Sequence, residues 1–115
     1  MRKNGVHEIE LIDAVMEMRA GLIDADLGGH VLKKRMTLKG RGKRSGARTL
    51  VATRFGSRWV YIFGFGKSER TNVDAEELKA LQRLAKIFLN LTAQEVRAQI
   101  DDGDLIELRE MKSDH

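Results

Sequence analysis

The chain contains no proline, so the breaks between its elements have to come from its eleven glycines, many of which fall in the middle of the sequence. Ahead of the first glycine cluster, Ile9, Ile12, Val15, Met16 and Met18 recur at spacings near three and four. That spacing predicts a helix from His7 to about Ala20, closed by Gly21 and carrying an acidic outer face of Glu8, Glu10, Asp13 and Glu17. Gly28-Gly29 makes a flexible corner, and His30 to Met36 then reads as a strand. Leu38 to Gly46 holds three glycines and four bases in nine residues without hydrophobic periodicity, and reads as a mobile loop. Arg48 to Phe55 and Arg58 to Phe65 are β-rich runs joined by Gly56-Ser57, which predicts a tight antiparallel hairpin. Unbroken alternation along the second run places Trp59, Tyr61, Phe63 and Phe65 on one face, with Val60 and Ile62 on the other.

The C-terminal third turns helical. Asp74 followed by Glu77 forms a capping signal ahead of Leu78, Leu81, Leu84 or Ala85, and Phe88, all at helical spacing. Thr92 and Glu95 repeat that signal for a short helix through about Asp101. Gly103 stops this helix, and Leu105 to Arg109 reads as a final strand. At 115 residues the expectation is a single domain, 1–115, with one modest core.

Charge is distributed unevenly over this pattern. Between Lys33 and Arg70 stand twelve Lys or Arg residues and one acid, Glu69, whereas the remainder carries nine bases against sixteen acids. Such a block attracts polyphosphate and holds a nucleic-acid backbone by counterion release without reading sequence. The absence of cysteine excludes disulfides and thiolate metal sites and fits a reducing interior. His7, His30 and His115 are too scattered for a metal-ligand pattern, so neither metal nor other cofactor is expected. No apolar run approaches the roughly 20 residues that span a bilayer, and Met1-Arg-Lys-Asn-Gly-Val lacks a signal-peptide core. A cytoplasmic protein without membrane contact is expected.

Several motifs have plain readings. Gly40-x-Gly42 leads into a strand, not into the Gly-Lys-Ser/Thr helix start of a phosphate loop. The aromatic residues of the second β run are assigned to packing, His30 to the surface, and Asp24 and Asp26 to a turn capped by their side chains.

The run Arg44-Ser-Gly-Ala-Arg-Thr-Leu-Val-Ala, a hairpin, and Gly64-Phe-Gly-Lys-Ser-Glu-Arg before an acidic helix start together resemble the RelE/HigB-like toxins of toxin-antitoxin modules, within the RelE/ParE superfamily. Gly21-Leu-Ile-Asp-Ala-Asp-Leu-Gly-Gly and the Glu76-Glu-Leu-Lys-Ala-Leu helix extend the resemblance over about residues 5 to 108. It implies a small α+β fold with an N-terminal helical segment, a twisted antiparallel sheet and a C-terminal helix. It also implies a ribosome-dependent mRNA endoribonuclease, in which the ribose 2′-OH attacks the adjacent phosphate without a metal while cations neutralise developing charge.

Carried onto matching positions, the Ser45-Gly46-x-Arg48 element makes Arg48 the first catalytic candidate. Gly66-Lys67-x-Glu69-Arg70 adds Lys67 and Arg70. Lys33, Lys34, Arg35, Lys39, Arg41, Lys43, Arg44 and Arg54 are the expected RNA contacts. The resemblance further implies an antitoxin partner, often a helix-turn-helix protein, besides the ribosome and mRNA. A ParE-like gyrase poison and a non-catalytic RNA-binding module are the alternative functions. Ser68 departs from an arginine found in some members, and Asp74 stands near where they carry a tyrosine, which leaves the general acid and base unassigned. Tyr61 is the only tyrosine. Members usually open on an aromatic-rich strand, whereas this chain runs almost directly into its helix, so a shortened start or a lost edge strand is expected.

Overall fold

The computed structural model describes residues 8–37, 46–54, 56, 58–66 and 72–108. Their order is α1 (Glu8–Arg19), β1 (Ala25–Asp26), β2 (Val31–Thr37), β3 (Gly46–Thr53), β4 (Trp59–Gly66), α2 (Ala75–Asn90) and α3 (Ala93–Asp101). The strands form one antiparallel sheet in sequence order, β1-β2-β3-β4, and the whole is an α+β fold. The expected N-terminal helix, basic strand, central hairpin strands and two capped helices are all present. The expected shortened start or lost edge strand, and most of the expected 38–46 loop, concern residues 1–7 and 38–45, which lie outside the described residues. Gly46 itself begins β3.

Alternation along β2 and β3 divides the core between the two faces of the sheet. On one face Leu11, Ala14 and Met18 of α1 meet Leu32, Met36, Ala47 and Val51. On the other, Ala85 and Leu89 of α2 pack against Val31, Leu50 and Ala52. Leu50, Val51 and Ala52 are completely buried, because β3 is central and covered on both faces. Burying a leucine or valine side chain contributes about 1.5–3 kcal/mol, which makes β3 the spine of the fold.

The expected aromatic stripe is divided by a β-bulge. Leu50 pairs with Phe63 but Val51 with Tyr61, so Ile62 is the extra residue in β4. Past this point the alternation reverses. Trp59 and Tyr61 pack on the α1 side, while Phe63 joins Val60 and Ile62 on the α2 side. Phe65, two residues beyond Phe63, is buried with its ring centroid 5.8 Å from that of Phe63.

Three further elements differ from expectation. Gly56-Ser57 is not a two-residue hairpin turn, since the ladder ends at Thr53 opposite Trp59 and leaves residues 54–58 as the connection. The stretch expected to be only a turn contributes a two-residue strand, β1, opposite Leu32 and Lys33. Residues 105–108 are not a strand. Leu108 instead packs against the α1 cluster, as a single apolar anchor rather than a ladder partner.

Helix ends follow local chemistry. Asp74 with Glu77 and Thr92 with Glu95 form reciprocal capping boxes. Gly21 and Gly103 take left-handed φ values of 95° and 84°, closing α1 and α3 with paired bonds back to the last turn. Gly29 is needed for a different reason, because a Cβ there would lie 2.7 Å from Cγ of Gln82 on α2. The C-terminus of α2 has no glycine cap, and the β3–β4 connection supplies two arginines instead. Arg58 donates to the carbonyls of Phe88 (2.9 Å) and Leu91 (2.6 Å), and Arg54 to the Leu89 carbonyl (3.1 Å) and Asn90 Oδ1 (3.0 Å). Cations at this end satisfy free carbonyls and complement the helix dipole.

Arg58→Ala is therefore expected to cost about 2 kcal/mol, the loss of charge-assisted bonds at a helix end. Equilibrium urea unfolding checks this, and an unchanged midpoint would show that the clamp does not hold α2.

Candidate anion-binding site

Helix α2 covers the sheet only toward the Val31, Leu50 and Ala52 end of its face. Alternation puts Lys33, Arg35 and Arg48 on this same face, further along the strands. They line a cavity of about 410 Å³ together with Asp24 and Asn72. Arg35 and Arg48 are direct partners in the β2–β3 ladder, and Phe65 lies opposite Arg48 on the other side. Directly opposed side chains stand about 5 Å apart at Cβ, and like charges in such a pair destabilise a sheet. Among the described residues the side chains of Lys33, Arg35 and Arg48 have no ion pair or hydrogen bond. Three cations without an ion pair among the described residues line one open concavity, and two guanidinium groups are chemically suited to the paired oxygens of a phosphate.

One acid accompanies them. Asp24 lies just before β1, its N–H donating to the Lys33 carbonyl at 3.1 Å and its Oδ2 accepting from the Arg35 N–H at 2.6 Å. Asn72 enters ahead of α2, with Oδ1 accepting from the Val73 N–H at 3.0 Å. Sequence reasoning missed both residues as site components. It assigned Asp24 to a capped turn, a role that Asp26 fills by accepting from Gly28 at 2.9 Å. The placement of Asp24 depends on the register of a two-residue strand, which no hydrophobic pattern announces.

The remaining nominated residues part company. Lys34 points to the α1 face, 7% exposed, where Nζ meets Glu17 Oε1 at 2.8 Å and donates to the Leu22 carbonyl at 3.0 Å. Period-2 geometry thus sends the central member of Lys33-Lys34-Arg35 into the core and its neighbours to the cavity. Arg54 follows β3 at the α2-clamping end, six residues from Arg48 and so roughly 20 Å away along the strand. Lys39, Arg41, Lys43, Arg44, Lys67 and Arg70 lie outside the described residues.

Neither Tyr61 nor His30 belongs to the cavity. Tyr61 faces α1, donating its hydroxyl to the Leu11 carbonyl at 2.6 Å. Burial, assisted by the Glu17 carboxylate, raises its pKa far above the usual phenol range. His30 is exposed in a left-handed turn at the start of β2, with φ 67°. Among the described residues no group of three or more His, Asp or Glu is arranged to hold a metal, and no helix is long and apolar enough to cross a membrane.

A β-meander backed by one helix, half-covered by another and opening a cationic cavity at one end defines a small α+β protein. A family model described as the RelE toxin of the RelE / RelB toxin-antitoxin system matches residues 1–108, and the chain belongs to that toxin family. Membership implies an antitoxin partner. No curated protein matches the chain.

The Tyr61 hydroxyl gives a stability prediction independent of the cavity. Its raised pKa means that the folded state retains a proton that the unfolded chain releases near pH 10, so stability falls as pH rises beyond that point. Tyr61→Phe should cost about 1 kcal/mol at neutral pH and remove this part of the alkaline decline. Urea titrations of both proteins between neutral pH and pH 11 check the sign, and parallel curves would refute it.

Proposed function

We propose that this toxin is a ribosome-dependent mRNA endoribonuclease, working in the cytoplasm, whose cavity of Lys33, Arg35 and Arg48 takes the scissile phosphate. The observation that carries this reading is the opposed Arg35–Arg48 pair, which has no partner among the described residues and opens into a concavity of nucleotide size. Arg48 is the primary charge stabiliser. It is anchored on the central strand and flanked by buried Phe65, so its guanidinium is positioned before substrate arrives. Arg35 and Lys33 neutralise the non-bridging oxygens from the neighbouring strand.

In the reaction the ribose 2′-oxygen attacks phosphorus and the 5′-oxygen leaves, and negative charge builds on the phosphate oxygens. Preorganised cations stabilise that charge more than they stabilise the ground state. Lys67 and Arg70 are further catalytic cations in this reading, and Lys39, Arg41, Lys43 and Arg44 grip the backbone of mRNA or ribosomal RNA with little demand on exact geometry. Lys34 and Arg54 are left out of this surface, since Lys34 is buried against Glu17 and Arg54 is bonded to the end of α2. The antitoxin, a helix-turn-helix protein encoded beside the toxin, neutralises it by laying acidic or apolar surface over the same cavity.

Arg48→Ala should abolish growth arrest on induction and lower codon-positioned cleavage at least about 100-fold, as for removal of one preorganised stabiliser. Its unfolding midpoint should hold or rise, because the Arg35–Arg48 repulsion is relieved. Mapping new RNA 5′ ends after induction, with cleavage in a translation extract, is the measurement. Full activity of the variant would remove Arg48 from the mechanism. DNA damage with intact mRNA would point to gyrase, and salt-dependent RNA binding without toxicity to a non-catalytic module.

A further inference from the structure

The cations account for charge stabilisation, but attack by a hydroxyl also needs an acceptor for its proton. Asp24 is the only carboxylate that the described residues bring to the cavity lining. Its Oδ2 is fixed by the Arg35 N–H at 2.6 Å, and among the described residues its other oxygen has no hydrogen-bond partner. A bracket between β1 and β2 needs only an acceptor, and asparagine also supplies one, through a weaker bond without charge assistance. A negative charge in a cavity suited to phosphate instead weakens anion binding, so the carboxylate has to act in another way.

We infer that Asp24 is the proton acceptor of the cleavage reaction, with its free oxygen receiving the ribose 2′-hydroxyl, an assignment that rests on the endoribonuclease reading above. The O2′–H bond breaks and its proton passes to the carboxylate as the O2′–P bond forms. The P–O5′ bond then breaks with its electron pair, and the departing oxygen takes a proton from water. The products are a 2′,3′-cyclic phosphate and a 5′-hydroxyl end. Arg35 contributes twice, since its backbone N–H orients the base and its side chain faces the cavity holding the phosphate. The carboxylate is thereby held against rotation, which favours a near-attack geometry.

The test is Asp24→Asn, which keeps an acceptor for the Arg35 N–H while removing proton acceptance. Single-turnover cleavage of ribosome-bound mRNA should fall at least about 100-fold, within the usual range for losing a general base. Binding to the programmed ribosome should stay at its wild-type value or improve, while the urea unfolding midpoint should fall only slightly, since the variant loses one charge-assisted bond and the acid among three cations. Wild-type cleavage by the variant overturns the assignment and leaves the endoribonuclease reading intact. Binding that falls in step with cleavage overturns it in favour of a bracket role. If the wild-type protein itself cleaves no mRNA, both readings fall.

Discussion

Arg35 and Arg48 stand directly opposite each other on β2 and β3, an arrangement that repels unless an anion lies between them. The sheet tolerates it because its stability is generated elsewhere. Leu50, Val51 and Ala52 fill both faces of the central strand, α1 covers the back of the sheet, and α2 covers the front only beyond the two arginines. Were α2 to extend its coverage, the cations would have to be buried or neutralised, either of which would abolish the concavity. Partial coverage is thus what permits both a core and a charged face on one side of a single sheet.

The position of α2 depends in turn on the hairpin connection. Arg54 and Arg58 take up the free carbonyls at its C-terminus, and Gln82 reaches Leu27 beside the glycine corner. The bulge at Ile62 adds a second constraint. By reversing the alternation it sends Trp59 and Tyr61 to α1 but Phe63 and Phe65 to the cavity side, where Phe65 walls Arg48. Without the inserted residue the aromatic side chains would lie on one face, and Arg48 would lose its apolar neighbour.

Much of this was legible before the structure. The capping pairs Asp74/Glu77 and Thr92/Glu95, the stops at Gly21 and Gly103 and the three strand-forming runs between His30 and Phe65 are local signals, and each produced the expected element. The bulge was not legible, because Trp59 to Phe65 alternates cleanly and the extra residue appears only in pairing with β3. Residues 105–108 carried an apolar alternation without a strand to pair with, and Leu108 alone found an apolar site. At the cavity, Arg48 and Arg35 were nominated, whereas Asp24 and Asn72 arrive from chain segments whose approach is set by tertiary register.

The basic block also shows why charge density overstates binding surface. A cation is free for a ligand only where the fold leaves it without a partner, and several bases in the block are already engaged. Lys34 is sealed against Glu17 behind the sheet, and Arg54 and Arg58 hold a helix end. Replacing these three removes contacts that hold the fold, whereas replacing Lys33, Arg35 or Arg48 removes charge from a formed cavity. The distinction follows from strand alternation and helix ends, and it converts a uniform run of positive charge into two populations with different physical consequences.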